Sequence, residues 1–213
     1  SKKEEIQELL AERRFEPSVV PTLEAYVDEQ VKGSAKHDLD ANLALLRHYQ
    51  YNSSTAKPAV ISKILLKALM EMPATDFMLC MYLIPVASAK DANIETLKGL
   101  SEKLEQCQFP QFWTAAAEAK ELLGSVQGFD DSIRRYIFHV VGATHQLIAK
   151  DELEGYVNLK GGDLDAALAS RKWTVEGGDV RIPTNEYNEA SVKIKQEGVS
   201  FDQLAPIVVS TAM

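Results

Sequence analysis

Histidine is the residue of this 213-residue chain that could most readily ligate a metal or move protons near neutral pH, and four are present. His139 and His145 lie six residues apart on one predicted helix. That spacing places them on different faces, whereas zinc ligands on a helix are usually three or four residues apart. His37 and His48 belong to no recognisable ligand motif either. We therefore interpret all four as structural or surface histidines.

The two cysteines offer nucleophilic or redox chemistry, but their context does not favour it. Cys80 and Cys107 are 27 residues apart, without a C-x-x-C pair, and two cysteines cannot form a disulfide framework. Both fall on apolar helical stripes, where free cysteine is commonly a small buried hydrophobe. We predict that both are buried.

Other catalytic patterns are missing from the sequence. It has no G-x-S-x-G elbow, phosphate-binding loop, G-x-G-x-x-G turn or H-E-x-x-H pair. The glutamates within residues 4–12 are flanked by lysines and arginines, which is typical of a solvated helix face. The sequence therefore predicts no catalytic, metal-ligating or cofactor-binding residues, and we expect a protein that is not an enzyme.

Composition bounds the class of protein and its location. Apolar residues make up 46% and charged residues 25%, which is ordinary for a globular chain and excludes general disorder. The longest apolar run, residues 77–87, is broken by Pro85 and is too short for a membrane span. Residues 1–5 are charged and lack a signal-peptide core. We expect a protein of the cytoplasm that has no membrane partner. Its presence in the nucleus is a second expectation that the sequence leaves open.

Residues 1–148 read as seven or eight short helices joined by brief links. The clearest carries apolar residues at alternating steps of one and three, a helical period: Val60, Ile61, Ile64, Leu65, Ala68, Leu69 and Met72. The last is predicted to run from Phe129 to Ile148, and caps are expected at Asp40 and Asp163 for two other helices. Because no strict repeat is visible, we predict an irregular helical-repeat array.

Residues 149–190 show a different pattern from the helical array before them. Two short predicted helices are followed by alternating runs on either side of Gly177-Gly178, a hairpin signal. Pairing would set Val175 opposite Val180 and Trp173 opposite Ile182. Helix, turn, helix and hairpin predict a winged helix, so the fold class is mainly α with a small β-hairpin.

A winged helix raises the possibility of nucleic-acid binding, but the charges oppose it. The whole chain has a net charge of −8, and residues 146–213 hold seven basic and eleven acidic residues. The candidate recognition helix begins with Asp163 and Asp165. Since phosphate neutralisation drives such binding, we expect direct contact with nucleic acid to be unfavourable. A nucleic-acid-binding regulator remains an alternative if folding creates a basic patch.

Residues 191–213 form a C-terminal segment with one predicted helix. Ser200 and Gln203 match a capping box, which places the helix start at about residue 200. We predict that its apolar residues bind a partner, the alternative being that the helix folds back on its own domain; these residues are Phe201, Leu204, Ile207 and Val208.

A helical array followed by a winged helix resembles the PCI family of scaffold subunits, found in the proteasome lid, the COP9 signalosome and translation initiation factor three. The resemblance covers about residues 20–190 and is closest to the initiation-factor branch. Its motifs are DANLALLRHYQ (40–50), ILLKAL (64–69), MPATDF (72–77), LEQCQF (104–109), FW (112–113), GFDDS (128–132) and Trp173.

The resemblance implies a non-catalytic scaffold subunit of a translation initiation factor complex that acts on the 40S ribosomal subunit. It also implies the complex's other subunits as partners, subunit l foremost. A scaffold of the proteasome lid or the signalosome is the nearest alternative, because these subunits share the architecture.

Overall fold

The structure is a computed structural model that describes residues 2–190 together with Leu204 and Val209. The helices are α1 (Lys2–Arg13), α2 (Val20–Val31), α3 (Leu39–Tyr51), α4 (Pro58–Leu69), α5 (Asp76–Met81), α6 (Ala92–Glu105), α7 (Phe109–Glu118), α8 (Lys120–Leu123), α9 (Phe129–Thr144), α10 (Lys150–Val157) and α11 (Gly162–Ser170). The strands are β1 (Leu147–Ala149), β2 (Thr174–Glu176) and β3 (Asp179–Arg181). This arrangement confirms the predicted fold class of a helical array followed by a winged helix.

Helix α4 lies at the centre of the array. It begins with Pro58, whose missing N–H costs nothing in the first turn of a helix. The helix packs against α2, α5 and α6 and buries most of its apolar stripe, namely Ile61, Ile64, Leu65, Ala68 and Leu69, while Val60 is partly buried. Burying one such side chain stabilises the fold by about 1.5–3 kcal/mol, so this stripe anchors the array.

Two predicted helix caps are corrected. The cap of α3 is Asp38, whose side chain accepts a hydrogen bond from the Ala41 N–H at 3.3 Å, while Asp40 lies in the first turn. Helix α11 starts at Gly162 after Gly161, so Asp163 lies inside its first turn. In both helices an acidic residue next to the true start gave the misleading signal.

The three strands form one antiparallel sheet in the order β1-β3-β2. Val175 pairs with Val180, as predicted, and Ile148 pairs with Val180 from the other side. The prediction that α9 continues to Ile148 is wrong, because the helix ends at Thr144. As a strand residue, Ile148 is buried beside Val180.

Residues 183–190 return to the C-terminal end of α9. The Asn188 side-chain amide donates to the carbonyls of Gly142, His145 and Pro183 at 3.1–3.2 Å. The Asn185 side-chain amide also donates to the Gly142 carbonyl, at 2.9 Å. The last carbonyls of a helix have no partner within it, so these side chains satisfy part of that end.

Within the residues that the structure describes, no helix combines the length and hydrophobicity needed to cross a membrane.

Candidate protein interaction surface

Trp173, at the entrance to the hairpin, packs the winged helix against α9. Its ring meets Phe138 edge to face, with centroids 5.6 Å apart. A Cβ at Gly142 would lie 3.3 Å from the indole, so the glycine leaves room for the ring to approach the α9 backbone. The Arg171 guanidinium also contacts Phe138 and lies 3.9 Å from its ring centroid.

Helix α10 fixes the winged helix to the array at a second place. The Trp113 indole N–H donates to the Tyr156 carbonyl at 2.7 Å, and Arg134 Nε donates to the Val157 carbonyl at 3.2 Å. The rings of Phe109 and Tyr156 meet edge to face at 5.4 Å. The carbonyl contacts are at the end of α10, where backbone acceptors lack partners within the helix. The winged helix is therefore positioned by side chains of α7 and α9.

The two outer strands of the sheet are partly exposed. In the described part of the chain, β1 and β2 each pair only with β3, so each has a free outer edge. Leu147 on β1 is 55% exposed and Val175 on β2 is 46% exposed. Free strand edges with apolar side chains are ready to pair with another chain.

The charges around this sheet are mostly acidic. Asp163 and Asp165 occupy the first turn of α11, and Glu176 and Asp179 flank the hairpin turn. Lys150 Nζ lies 2.8 Å from Asp165, and this hydrogen bond raises the pKa of Lys150. The helix that would enter a DNA groove in a winged-helix reader thus carries negative charge.

Among the four predicted partner-binding residues, Leu204 alone lies within the part of the chain that the structure describes. It is helical and 43% exposed. Phe201, Ile207 and Val208 lie outside the described residues, so their partner-binding role stays a prediction. Val209, also helical, is exposed as well.

The histidines occupy separate positions. His37 Nε2 lies 2.9 Å from Asp76 Oδ2, and His48 Nε2 lies 2.8 Å from the Arg14 carbonyl oxygen. His139 is exposed on α9, whereas His145 follows the end of that helix.

The prediction that both cysteines are buried holds for Cys80 and is wrong for Cys107, which is exposed. Cys107 follows the end of α6 with a φ of 57°, so the apolar stripe does not continue through it. No group of three or more histidine, cysteine, aspartate or glutamate side chains within residues 2–190 is arranged to hold a metal ion.

Sequence reasoning missed an exposed apolar surface on α5 and the link that follows it. Residues 77–89 carry no charge, and their outward-facing side chains are Met78, Leu79, Tyr82 and Val86. The absence of charge over this stretch was the available signal. From the sequence this run indicated only a segment too short to cross a membrane, because apolar runs do not reveal which side chains face solvent.

Comparison with known proteins places this architecture in a family. The sequence model of the CSN8/PSMD8/EIF3K family matches residues 55–193, which include the helices from α4 onward and the whole sheet. The chain belongs to this family. Membership confirms the resemblance that the sequence motifs indicated.

Individual members of the CSN8/PSMD8/EIF3K family match along almost the whole chain. A protein of Anopheles gambiae is 38% identical over 96% of this chain and 93% of its own length. Proteins of Mus musculus and Homo sapiens are 39% and 38% identical, each over 93% of this chain and 91% of their own length. All three are named eukaryotic translation initiation factor 3 subunit K.

Proposed function

We propose that this chain is a non-catalytic scaffold subunit of translation initiation factor three and acts on the 40S ribosomal subunit through that complex. The names of its relatives support membership in this complex, since each is named as a subunit of initiation factor 3. Its work in this proposal is assembly in the cytoplasm by protein–protein contact.

The observation that carries the proposal is the combination of free apolar sheet edges with an acidic winged helix. Leu147 and Val175 expose apolar surface on the two outer strands, while Asp163 and Asp165 oppose contact with phosphates. A surface of this kind favours a protein partner over nucleic acid.

We further propose that the partner at this end of the molecule is subunit l of the same complex. The docking surface would comprise the sheet edges and the C-terminal segment with Phe201, Leu204, Ile207 and Val208. Exposure of Leu204 supports an apolar side chain in this segment that is open to a partner.

Co-expression with subunit l tests this contact directly. The double substitution Leu204→Asp and Ile207→Asp places two charges on the apolar face. We expect subunit l to be lost from the purified complex while the circular dichroism and melting temperature of the isolated chain stay unchanged. Unfolding of the isolated variant would show instead that this helix packs on its own domain.

The matched control is the double substitution Gln203→Asp and Ser210→Asp, which adds the same charge to the same segment without removing apolar side chains. It should retain subunit l. If both double variants lose subunit l equally, added charge alone explains the effect, and the proposed apolar contact is wrong.

Purification of the tagged chain from its native cells tests the complex itself. Recovery of initiation-factor subunits supports the proposal. Recovery of proteasome-lid or signalosome subunits would retain the scaffold role and overturn the assignment to initiation factor three.

A further inference from the structure

A groove at the other end of the chain, between α1 and α3, is separate from the winged helix. Leu43 and Ala44 of α3 line it, and the aromatic rings of Phe15 and Tyr51 flank it. Its cavity volume is about 120 Å³. A closed cavity of roughly 150 Å³ holds benzene, so this smaller, open groove takes the end of one large apolar side chain while the rest of that side chain stays at its mouth.

The two aromatic residues are unusually open to solvent. Phe15 is 68% exposed in the link after α1, and Tyr51 is 75% exposed at the last position of α3. Exposed aromatic residues that border a shared groove are typical of a protein contact site.

The groove is held in shape by polar contacts. His48 Nε2 lies 2.8 Å from the Arg14 carbonyl, and the Arg14 guanidinium pairs with Asp40. These contacts tie the link carrying Phe15 to α3. The aromatic walls are therefore positioned before a partner arrives, which reduces the entropy lost on binding.

The available charge in the groove is positive. Arg47 lines it, is exposed, and has no ion pair or side-chain hydrogen bond within residues 2–190. Arg14, by contrast, is neutralised by Asp40. An occupant thus meets an apolar floor, two aromatic rings and one free guanidinium.

We propose that this groove binds a segment of a partner protein that inserts a large apolar side chain and places a carboxylate on Arg47. Arginine matches carboxylates because its planar fork can donate two parallel hydrogen bonds. Since Arg14 is already paired with Asp40, the groove offers one unpaired cation. A polynucleotide carries a phosphate at every residue and needs several cations to bind, whereas a single peptide carboxylate needs only Arg47.

The test uses the full chain, isotopically labelled for NMR, and the synthetic peptide acetyl-Gly-Glu-Trp-Glu-Gly-amide. Two matched peptides replace both glutamates by glutamine or by lysine. We expect shift changes at Phe15, Arg47 and Tyr51, with affinity about threefold lower for the glutamine peptide and lower again for the lysine peptide, as for an exposed ion pair.

Charge reversal provides the decisive variant. Arg47→Glu should invert the preference, so that the lysine peptide binds better than the glutamate peptide. Arg181→Glu, at an exposed arginine in the winged helix, is the matched control and should keep the original order. Tyr51→Ala should weaken all three peptides, because it removes one wall of the groove.

Equal affinity for the three peptides, an unchanged order in Arg47→Glu, or shifts confined to other residues would overturn the proposal. Salt-sensitive binding of oligouridylate at the same residues, without peptide binding, would also overturn it and assign the groove to RNA. Because the assay contains no other subunit, its result is independent of the contact proposed with subunit l.

Discussion

Cys80 and Cys107 have contrasting environments on the helical array. Cys80 on α5 is fully buried, whereas Cys107 follows α6 and is exposed. Burial, together with the nearby negative charge of Asp76, raises the pKa of the Cys80 thiol from 9.0 to about 12. A thiol of this kind behaves as part of the core and not as a nucleophile.

The raised pKa of Cys80 predicts a loss of stability at alkaline pH. Above about pH 9 the thiol ionises in the unfolded chain but keeps its proton in the folded chain, so ionisation favours unfolding. Stability from this group is complete below pH 9 and falls by about 1.4 kcal/mol per pH unit until about pH 12. Relative to Cys80→Ala, the wild-type free energy of unfolding should fall by about 2 kcal/mol between roughly pH 9 and 10.5.

Urea denaturation of both proteins under reducing conditions measures this difference. Cys107→Ala is the matched control, because it removes an exposed thiol and leaves the buried Cys80 thiol in place. Parallel curves for the wild type and Cys80→Ala would contradict the prediction.

The outcome for the cysteines shows where residue-level prediction from sequence ends. The helical period identified Cys80 as a core residue because its neighbours on the stripe are buried too. The same period failed at Cys107 because α6 ends at Glu105 and the chain then turns with a positive φ. Periodicity reports the buried face of a helix only while the helix continues.

At the scale of elements, α9 is shared by the array and the winged helix. One part of it holds Arg134, which binds the end of α10, and another holds Phe138 and Gly142, against which Trp173 packs. The hairpin therefore depends on a helix that precedes it in sequence. We propose that the winged-helix unit begins at Leu147, since β1 completes its sheet.

Trp173→Ala should destabilise the winged helix by about 2–3 kcal/mol, less than for a fully buried tryptophan because Trp173 is only partly buried. The indole's contacts with Phe138 and the α9 backbone would be lost together. Equilibrium unfolding in urea gives the free-energy change, and limited proteolysis shows whether cleavage increases within residues 147–190.

Val175→Ala is the control for Trp173→Ala, because its half-exposed side chain lies on the same hairpin and contributes little packing. Its effect should be within about 0.5 kcal/mol of zero. A loss for Trp173→Ala no larger than this would show that the contact with α9 does not hold the hairpin in place.

The elements differed in how well sequence could predict them. The Gly177-Gly178 pair fixed the hairpin register, since such a turn leaves a single way to align the flanking strands. Strand β1 was missed because its three residues continue an apolar pattern that α9 had already begun. Its partner β3 lies more than 30 residues later, and a pairing at that distance leaves no local signal in the sequence.

At the scale of the whole molecule, negative charge limits the choice of partners. The chain has a net charge of −8, and its winged helix carries acidic residues at the start of α11 and at the hairpin turn. The groove beside Arg47 is the contrasting feature, a cationic position bordered by aromatic rings. Both surfaces favour protein partners, one through apolar sheet edges and the other through a single guanidinium.

This charge distribution predicts that the isolated chain binds RNA more weakly than about 10⁻⁴ M at physiological salt, below ordinary non-specific binding. The physical reason is that few counterions are released when no basic surface meets the phosphates, so affinity should also change little with salt. Fluorescence anisotropy with labelled single-stranded and duplex RNA measures both the affinity and its salt dependence.

As a positive control, Asp163→Lys combined with Glu176→Lys should gain measurable, salt-sensitive binding, because both positions lie where a winged helix can face a duplex. Micromolar binding by the wild-type chain with a steep salt dependence would contradict the prediction and favour a nucleic-acid-binding regulator.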